Sequence, residues 1–274
     1  EFLDRKFIYS LEHTHNIVIN PNIFKRQQVG NSIRYKTLRF EDKHFKIDDD
    51  DPYDGRISII TPNETDCVTV FVHKRLRLAI IHNMYYEAGC AKEGFNKSKG
   101  GDVLMKLMLR FLIMYKGEYK IDRIILADHS YLSCEDSPIT IKLARLRMIT
   151  HGQPWYMKYG FKPYNAQREE PDDEALVFWL KYNNDMLETL PTLAVVNVYQ
   201  IAQTIKNLNI NALNRLIIKY PLFKDFINVL ASKLQKHCQL IEAILEDIYK
   251  ATPLHTPMLY DFYKSDFYLD IFNL

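Results

Sequence analysis

Residues 150–162 read THGQPWYMKYGFK. Trp155, Tyr156, Tyr159 and Phe161 crowd around a single glycine, Gly160, between a helical pattern and a further apolar run. Glycine is the residue that turns a chain where a Cβ would clash, so the stretch reads as a sharp corner packed with rings. What the corner joins depends on the residues before it.

Upstream, Ser32–Phe40 has the β-branched and aromatic make-up of a strand, as does Asn16–Asn20. The run Asp48–Asp51, followed by Pro52 and Gly55, reads as a solvated turn; its spacing does not match a calcium loop. Arg56–Thr61 and Cys67–His73 flank a Pro-Asn-Glu-Thr turn and predict a hairpin, and Arg75–Tyr86 predicts the next strand. Residues 87–101 carry Gly89, Gly94, Gly100 and Gly101 and read as a loop. A helix is expected from about Asp102, because Val103, Leu104, Leu107, Met108, Phe111 and Leu112 recur at three-and-four spacing. Ile121–Ala127 predicts a buried strand, Ile139–Ile149 a second helix, and Ala175–Tyr182 a strand after the corner.

This order predicts an α/β (α+β) fold: a mixed, mostly antiparallel sheet containing one βαβ unit with a right-handed crossover. Beyond Leu190-Pro191 the segments Thr192–Leu208, Ile210–Tyr220 and Leu222–Lys250 all have helical periodicity, and Met258–Phe272 reads as a short docking helix. Two domains are therefore expected: 1–187, with a core at 56–182 and an extension at 1–55, and an all-helical 188–274.

The totals narrow the class. The 274 residues are 47% hydrophobic, enough for a buried core, and 36 basic against 34 acidic residues leave no global field for nucleic acid or a membrane surface. The short cluster Lys74–Arg77 alternates with apolar residues and reads as a strand edge rather than a phosphate track, so nucleic acid is not an expected partner. No apolar run approaches the roughly 18 residues that span a bilayer. Cys67, Cys90, Cys134 and Cys238 are scattered, without metal-knuckle spacing, and read as free thiols of a reducing compartment; the expected setting is soluble and cytoplasmic, with no metal. A lean toward Ile, Lys, Asn and Tyr is what an AT-rich genome gives, for example that of a large DNA virus.

The element order, with the string Trp155-Tyr156-Met157-Lys158-Tyr159-Gly160-Phe161, resembles the GCN5-related N-acetyltransferase (GNAT) superfamily over about residues 56–182. Members close a core helix with an aromatic-Tyr-x-x-x-Gly-Phe corner. They also carry a Gln/Arg-x-x-Gly-x-Gly/Ala loop before the helix that follows the fourth core strand. Here that loop corresponds to Asn96-Lys97-Ser98-Lys99-Gly100-Gly101-Asp102, with Asp102 where Gly or Ala is expected. The resemblance implies acetyl-coenzyme A as cofactor, its pyrophosphate held by Lys97, Lys99, Gly100 and Gly101 at a helix N-terminus. It implies direct acetyl transfer to an amine acceptor, with Tyr156 protonating the departing thiolate.

Glu87, just past the presumed fourth strand, is the leading base; His82, Asp128 and His129 are others. His151 reads as a helix cap, and Arg145 and Arg147 as a solvated face. The alternative is a catalytically inactive GNAT fold serving as a structural or interaction protein, such as a virion component. In either reading the C-terminal helices are available for a protein partner or self-association.

Overall fold

A computed structural model describes residues 24–28, 34–40, 43–48, 54–60, 65–84, 90, 100–135, 137–165, 170–171, 173–205, 208–250, 259, 261 and 266–274. The chain divides into two compact units: Glu1–Ala127 with Tyr159–Phe161 and Asp266–Leu274, and Asp128–Lys158 with Lys162–Ser265. The division expected at 187/188 falls inside the second unit.

The first unit is built on a mostly antiparallel sheet. Strands β1 (Phe24–Gln28), β2 (Arg34–Phe40), β3 (Lys43–Asp48), β4 (Asp54–Ile60), β5 (Asp66–His73) and β6 (Leu78–Met84) follow one another as antiparallel neighbours. Helix α1 (Gly100–Met114) and the single turn α2 (Lys116–Tyr119) lead to β7 (Arg123–Ala127), which lies parallel to β6. The expected βαβ unit is therefore present. Alternation explains β7, where Ile124 and Leu126 are buried while their neighbours are half-exposed; β5 buries Cys67–Val70 in succession. On α1, Leu104, Leu107, Met108, Phe111 and Leu112 are buried, the face its spacing predicts.

The turn into β6 puts Arg77 at φ 53, and its carbonyl accepts from Asp122 N at 2.9 Å. Its guanidinium grips the Asp122 carboxylate with two of its three nitrogens, Nε to Oδ2 and Nη2 to Oδ1, the latter at 2.6 Å, which holds that carboxyl below its usual range. The start of β6 is thereby tied to the start of β7.

In the second unit, β8 (Tyr131–Ser133) and β9 (Thr140–Lys142) form a hairpin before α3 (Leu143–His151). After the corner come the antiparallel pair β10 (Lys162–Asn165) and β11 (Glu170–Pro171), then α4 (Asp173–Thr189). Helices α5 (Thr192–Val195), α6 (Val198–Thr204), α7 (Ile210–Lys219), α8 (Phe223–Ala231) and α9 (Cys238–Lys250) follow. The side chains of Asn197 and Asn209 cap α6 and α7 by accepting from Gln200 N at 3.1 Å and Ala212 N at 2.9 Å. Strand β12 (Asp266–Asp270) returns to the first unit and pairs antiparallel with β7.

Several expectations are corrected. Ala175–Tyr182 is not a strand but part of α4; a continuous apolar run does not distinguish the two, and the stripe continues with buried Asn183 and Leu187 at helical spacing. The C-terminal region is not all helical: Phe267, Leu269 and Ile271 are buried and alternate with exposed or half-exposed residues, the period of a strand. The stretch 222–250 is two helices, α8 and α9, separated by a 3-10 turn at Gln235–His237. Helix α3 starts at Leu143, because Thr140–Lys142 pairs in the hairpin.

The cysteines are not free thiols. Cys67 bonds Cys90 and Cys134 bonds Cys238, each pair with Cα atoms 5.8 Å apart, which removes the ground for a reducing compartment. Among the described residues no helix is long and apolar enough to cross a membrane. The expected strand at 16–20 and most of the acidic turn lie outside the described residues.

Candidate functional site

Two neighbourhoods carry the residues singled out by sequence, one in each unit.

In the first unit, α1 begins at Gly100, so the two glycines expected in a loop form the first helical turn; Gly100 is buried and Gly101 exposed. Asp102 stands in the same turn, where an acid is favoured by the helix dipole. Its carboxylate is fully engaged: Oδ1 accepts from Tyr159 Oη at 2.6 Å, and Oδ2 pairs with Lys106 Nζ at 2.8 Å. Asp102 thus has a structural role. It fastens the aromatic corner to the helix, and Lys106 offsets its charge. Glu87, Lys97 and Lys99 lie outside the described residues.

The corner forms as expected. Trp155–Tyr159 makes a 3-10 turn, Gly160 takes φ 87, and Phe161 is buried. The Gly160 Cα faces Leu269 of β12: a Cβ built there would stand 3.4 Å from Leu269 Cδ1. Lys158 Nζ lies 4.5 Å from the centre of the Trp155 ring.

The second unit holds Tyr156 and Asp128. Tyr156 is buried, and its hydroxyl is pushed far above the usual phenol range, first by burial and then by the Asp128 charge. Burial therefore disfavours release of the Tyr156 hydroxyl proton. Asp128 has no exposed surface. Its Oδ1 accepts from Ser130 N at 3.1 Å and from Ser130 Oγ, while its buried Oδ2 has no hydrogen-bond partner among the described residues. Burial drives its carboxyl above the usual range, against the Ser130 hydrogen bonds and the neighbouring His129. The Asp128–Tyr156 pair was not legible as a pair; the only signal for Asp128 is an acid directly after the apolar strand run Ile124–Ala127.

The other candidates separate. His82 is exposed on β6 against the Phe71 ring, and His129 is exposed. His151 Nδ1 lies 2.7 Å from Thr150 Oγ1 and Nε2 3.1 Å from Arg147 Nη1; burial and the Arg147 charge lower its pKa. The cap of α3 is instead Gly152, at φ 75.

Arg145 is not on a solvated face. Its side chain is 11% exposed, bonds Asp261 Oδ2 at 2.9 and 2.5 Å and Glu246 Oε1 at 3.2 Å, and stacks 5.0 Å from the Tyr249 ring centre. Among the described residues no group of three or more His, Cys, Asp or Glu is arranged to hold a metal. No family model, no curated protein and no solved structure matches this chain.

Proposed function

We propose that the chain is an acetyl-coenzyme A-dependent N-acetyltransferase of GNAT type that acts on an amine acceptor. The supporting observation is the β6–α1–β7 unit. Two parallel strands are joined through a helix whose first turn is Gly100-Gly101, with Gly101 open to solvent and the acid of that turn, Asp102, paired with Lys106. Unpaired N–H groups and the positive end of the dipole at such a terminus suit a pyrophosphate, and Lys97 and Lys99 of the sequence add charge beside it. Bound there, acetyl-coenzyme A supplies the thioester. The chain's part is to hold and orient it against the amine.

A second reading, a GNAT-type fold kept as an interaction protein, is favoured by the burial of Tyr156. Calorimetry with acetyl-coenzyme A separates the two. The enzyme reading expects binding to the wild type, and at least about tenfold weaker binding to Gly101→Glu. An acid is compatible with a first helical turn, so this variant keeps its thermal midpoint. Absence of heat at millimolar cofactor leaves the interaction reading standing.

A further inference from the structure

The two disulfides differ in what they hold. The ring closed by Cys67–Cys90 contains β5 and β6, already paired from Val68↔Met84 to His73↔Leu78, so the bond adds little constraint to that hairpin. Cys134–Cys238 joins residues 104 apart, the β8–β9 hairpin to the first residue of α9, with no strand pairing between them. A long closed loop is where a crosslink removes most freedom from the unfolded chain.

The surroundings of Cys134 are arranged around that bond. The Gln235 side chain, from the 3-10 turn ahead of α9, accepts from Glu135 N at 3.0 Å and donates to Ser133 O at 3.5 Å. One carboxamide therefore grips the residues on both sides of Cys134, while Cys134 N donates to Ile139 O at 2.9 Å. Eight residues further along α9, about 12 Å, Glu246 meets Arg145 at 3.2 Å and Lys142 at 3.9 Å. The hairpin and α3 are thus held to α9 at two points, one covalent and one ionic.

We propose that Cys134–Cys238 is a redox-governed clamp on the second unit, with Gln235 as its positioning residue. Closing it requires an oxidant of the disulfide class. One cysteine thiolate attacks the oxidant disulfide and expels one of its thiolates. The second cysteine thiolate then attacks the mixed disulfide, forming the protein bond and expelling the oxidant's other thiolate; the two protons lost by the cysteines pass to the two oxidant sulfurs, giving its reduced thiols. Reduction reverses these steps, and the hairpin and α3 then stay on α9 through non-covalent contacts, among them the Glu246 pairs, the Arg145–Tyr249 stack and Gln235.

The full chain is equilibrated in glutathione buffers of graded [GSH]²/[GSSG], alkylated, and mapped by peptide mass. Limited proteolysis is run at each ratio. The proposal expects Cys134–Cys238 as a bonded peptide, and cleavage within 128–158 or 231–250 rising at least about fivefold as it is reduced. In Gln235→Ala the ratio needed for half-reduction of this pair falls at least about threefold. That of Cys67–Cys90 stays unchanged and serves as internal control; a fold change in the ratio reports the bond's own equilibrium, which a general loss of stability would shift for both pairs. Free Cys134 and Cys238 in oxidising buffer, cleavage indifferent to reduction, or equal ratios in wild type and Gln235→Ala would each overturn it.

Discussion

At the scale of the residue, three positions make separable demands on the chain. Gly160, at φ 87, and Gly152, at φ 75, occupy backbone that an L side chain enters only with strain. Alanine at Gly160 meets only ordinary contact with Leu269, so its expected cost is the backbone term, about 1–2 kcal/mol, read from chemical denaturation. Alanine at Gly152 also runs into the Asn184 carboxamide. Gly152→Ala should therefore cost less in an Asn184→Ala background than in the wild type, and a double-mutant cycle measures that difference.

Asp128 makes an electrostatic demand. Its carboxyl is raised in the folded chain, so the native state binds the proton more firmly than the unfolded state does. Stability from this group is full below the ordinary carboxylate pKa, near 4, and is lost as pH rises through the raised value. Asp128→Asn keeps an acceptor for Ser130 and carries no charge. Its thermal midpoint should match the wild type near pH 4 and exceed it at neutral pH. Its Tyr156 should also titrate at lower pH in an alkaline absorbance scan, because the Asp128 charge is one cause of that residue's shift.

At the scale of the element, the Asp102–Tyr159 bond joins the first turn of α1 to the corner. Tyr159→Phe leaves the buried ring in place and removes only the donor to a carboxylate, for an expected loss of about 1.5–3 kcal/mol by equilibrium unfolding. Sequence places both ends of this bond and not the bond itself: Asp102 marks the expected start of a helix and Tyr159 lies in a glycine-bearing corner, yet 57 residues separate the partners. The same limit explains which elements were legible. Strands β4 to β7 and α1 announce themselves by local period. Helix α4 begins with an apolar run that suits either structure, and its helical identity rests on Asn183 and Leu187, beyond the run. Strand β12 carried a clear period of two, and was masked by the helices preceding it. The cysteine pairs are 23 and 104 apart, and no local pattern signals either bond. Asp128 and Tyr156 meet only because the fold returns the chain between them.

At the scale of the whole molecule, the path of the chain bears on how it can be divided. It passes from the first unit to the second after Ala127, returns for Tyr159–Phe161, leaves again, and comes back at Asp266. The first unit therefore needs β12 to cover the edge of β7, where Phe267, Leu269 and Ile271 are buried, and needs Phe161 under the corner. Lys116 adds a further tie, its Nζ donating to the carbonyls of Ile271 and Phe272 at 3.0 Å each.

A segment 188–274, the domain suggested by helical periodicity, lacks several of the elements its helices pack on. Cys238 would have no Cys134, Glu246 and Asp261 no Arg145, and α8 would lose its packing on α3 and on α4. A newly exposed apolar helix face, with the Cys134–Cys238 bond and the Arg145 pairs gone, works against a folded helix bundle. The fragment 188–274 should accordingly show little cooperative thermal unfolding by circular dichroism and should bind a hydrophobic dye, while the full chain unfolds cooperatively. A fragment that melts sharply and leaves the dye dark would mean that these helices form a core without α3, and that the boundary belongs near residue 188 after all.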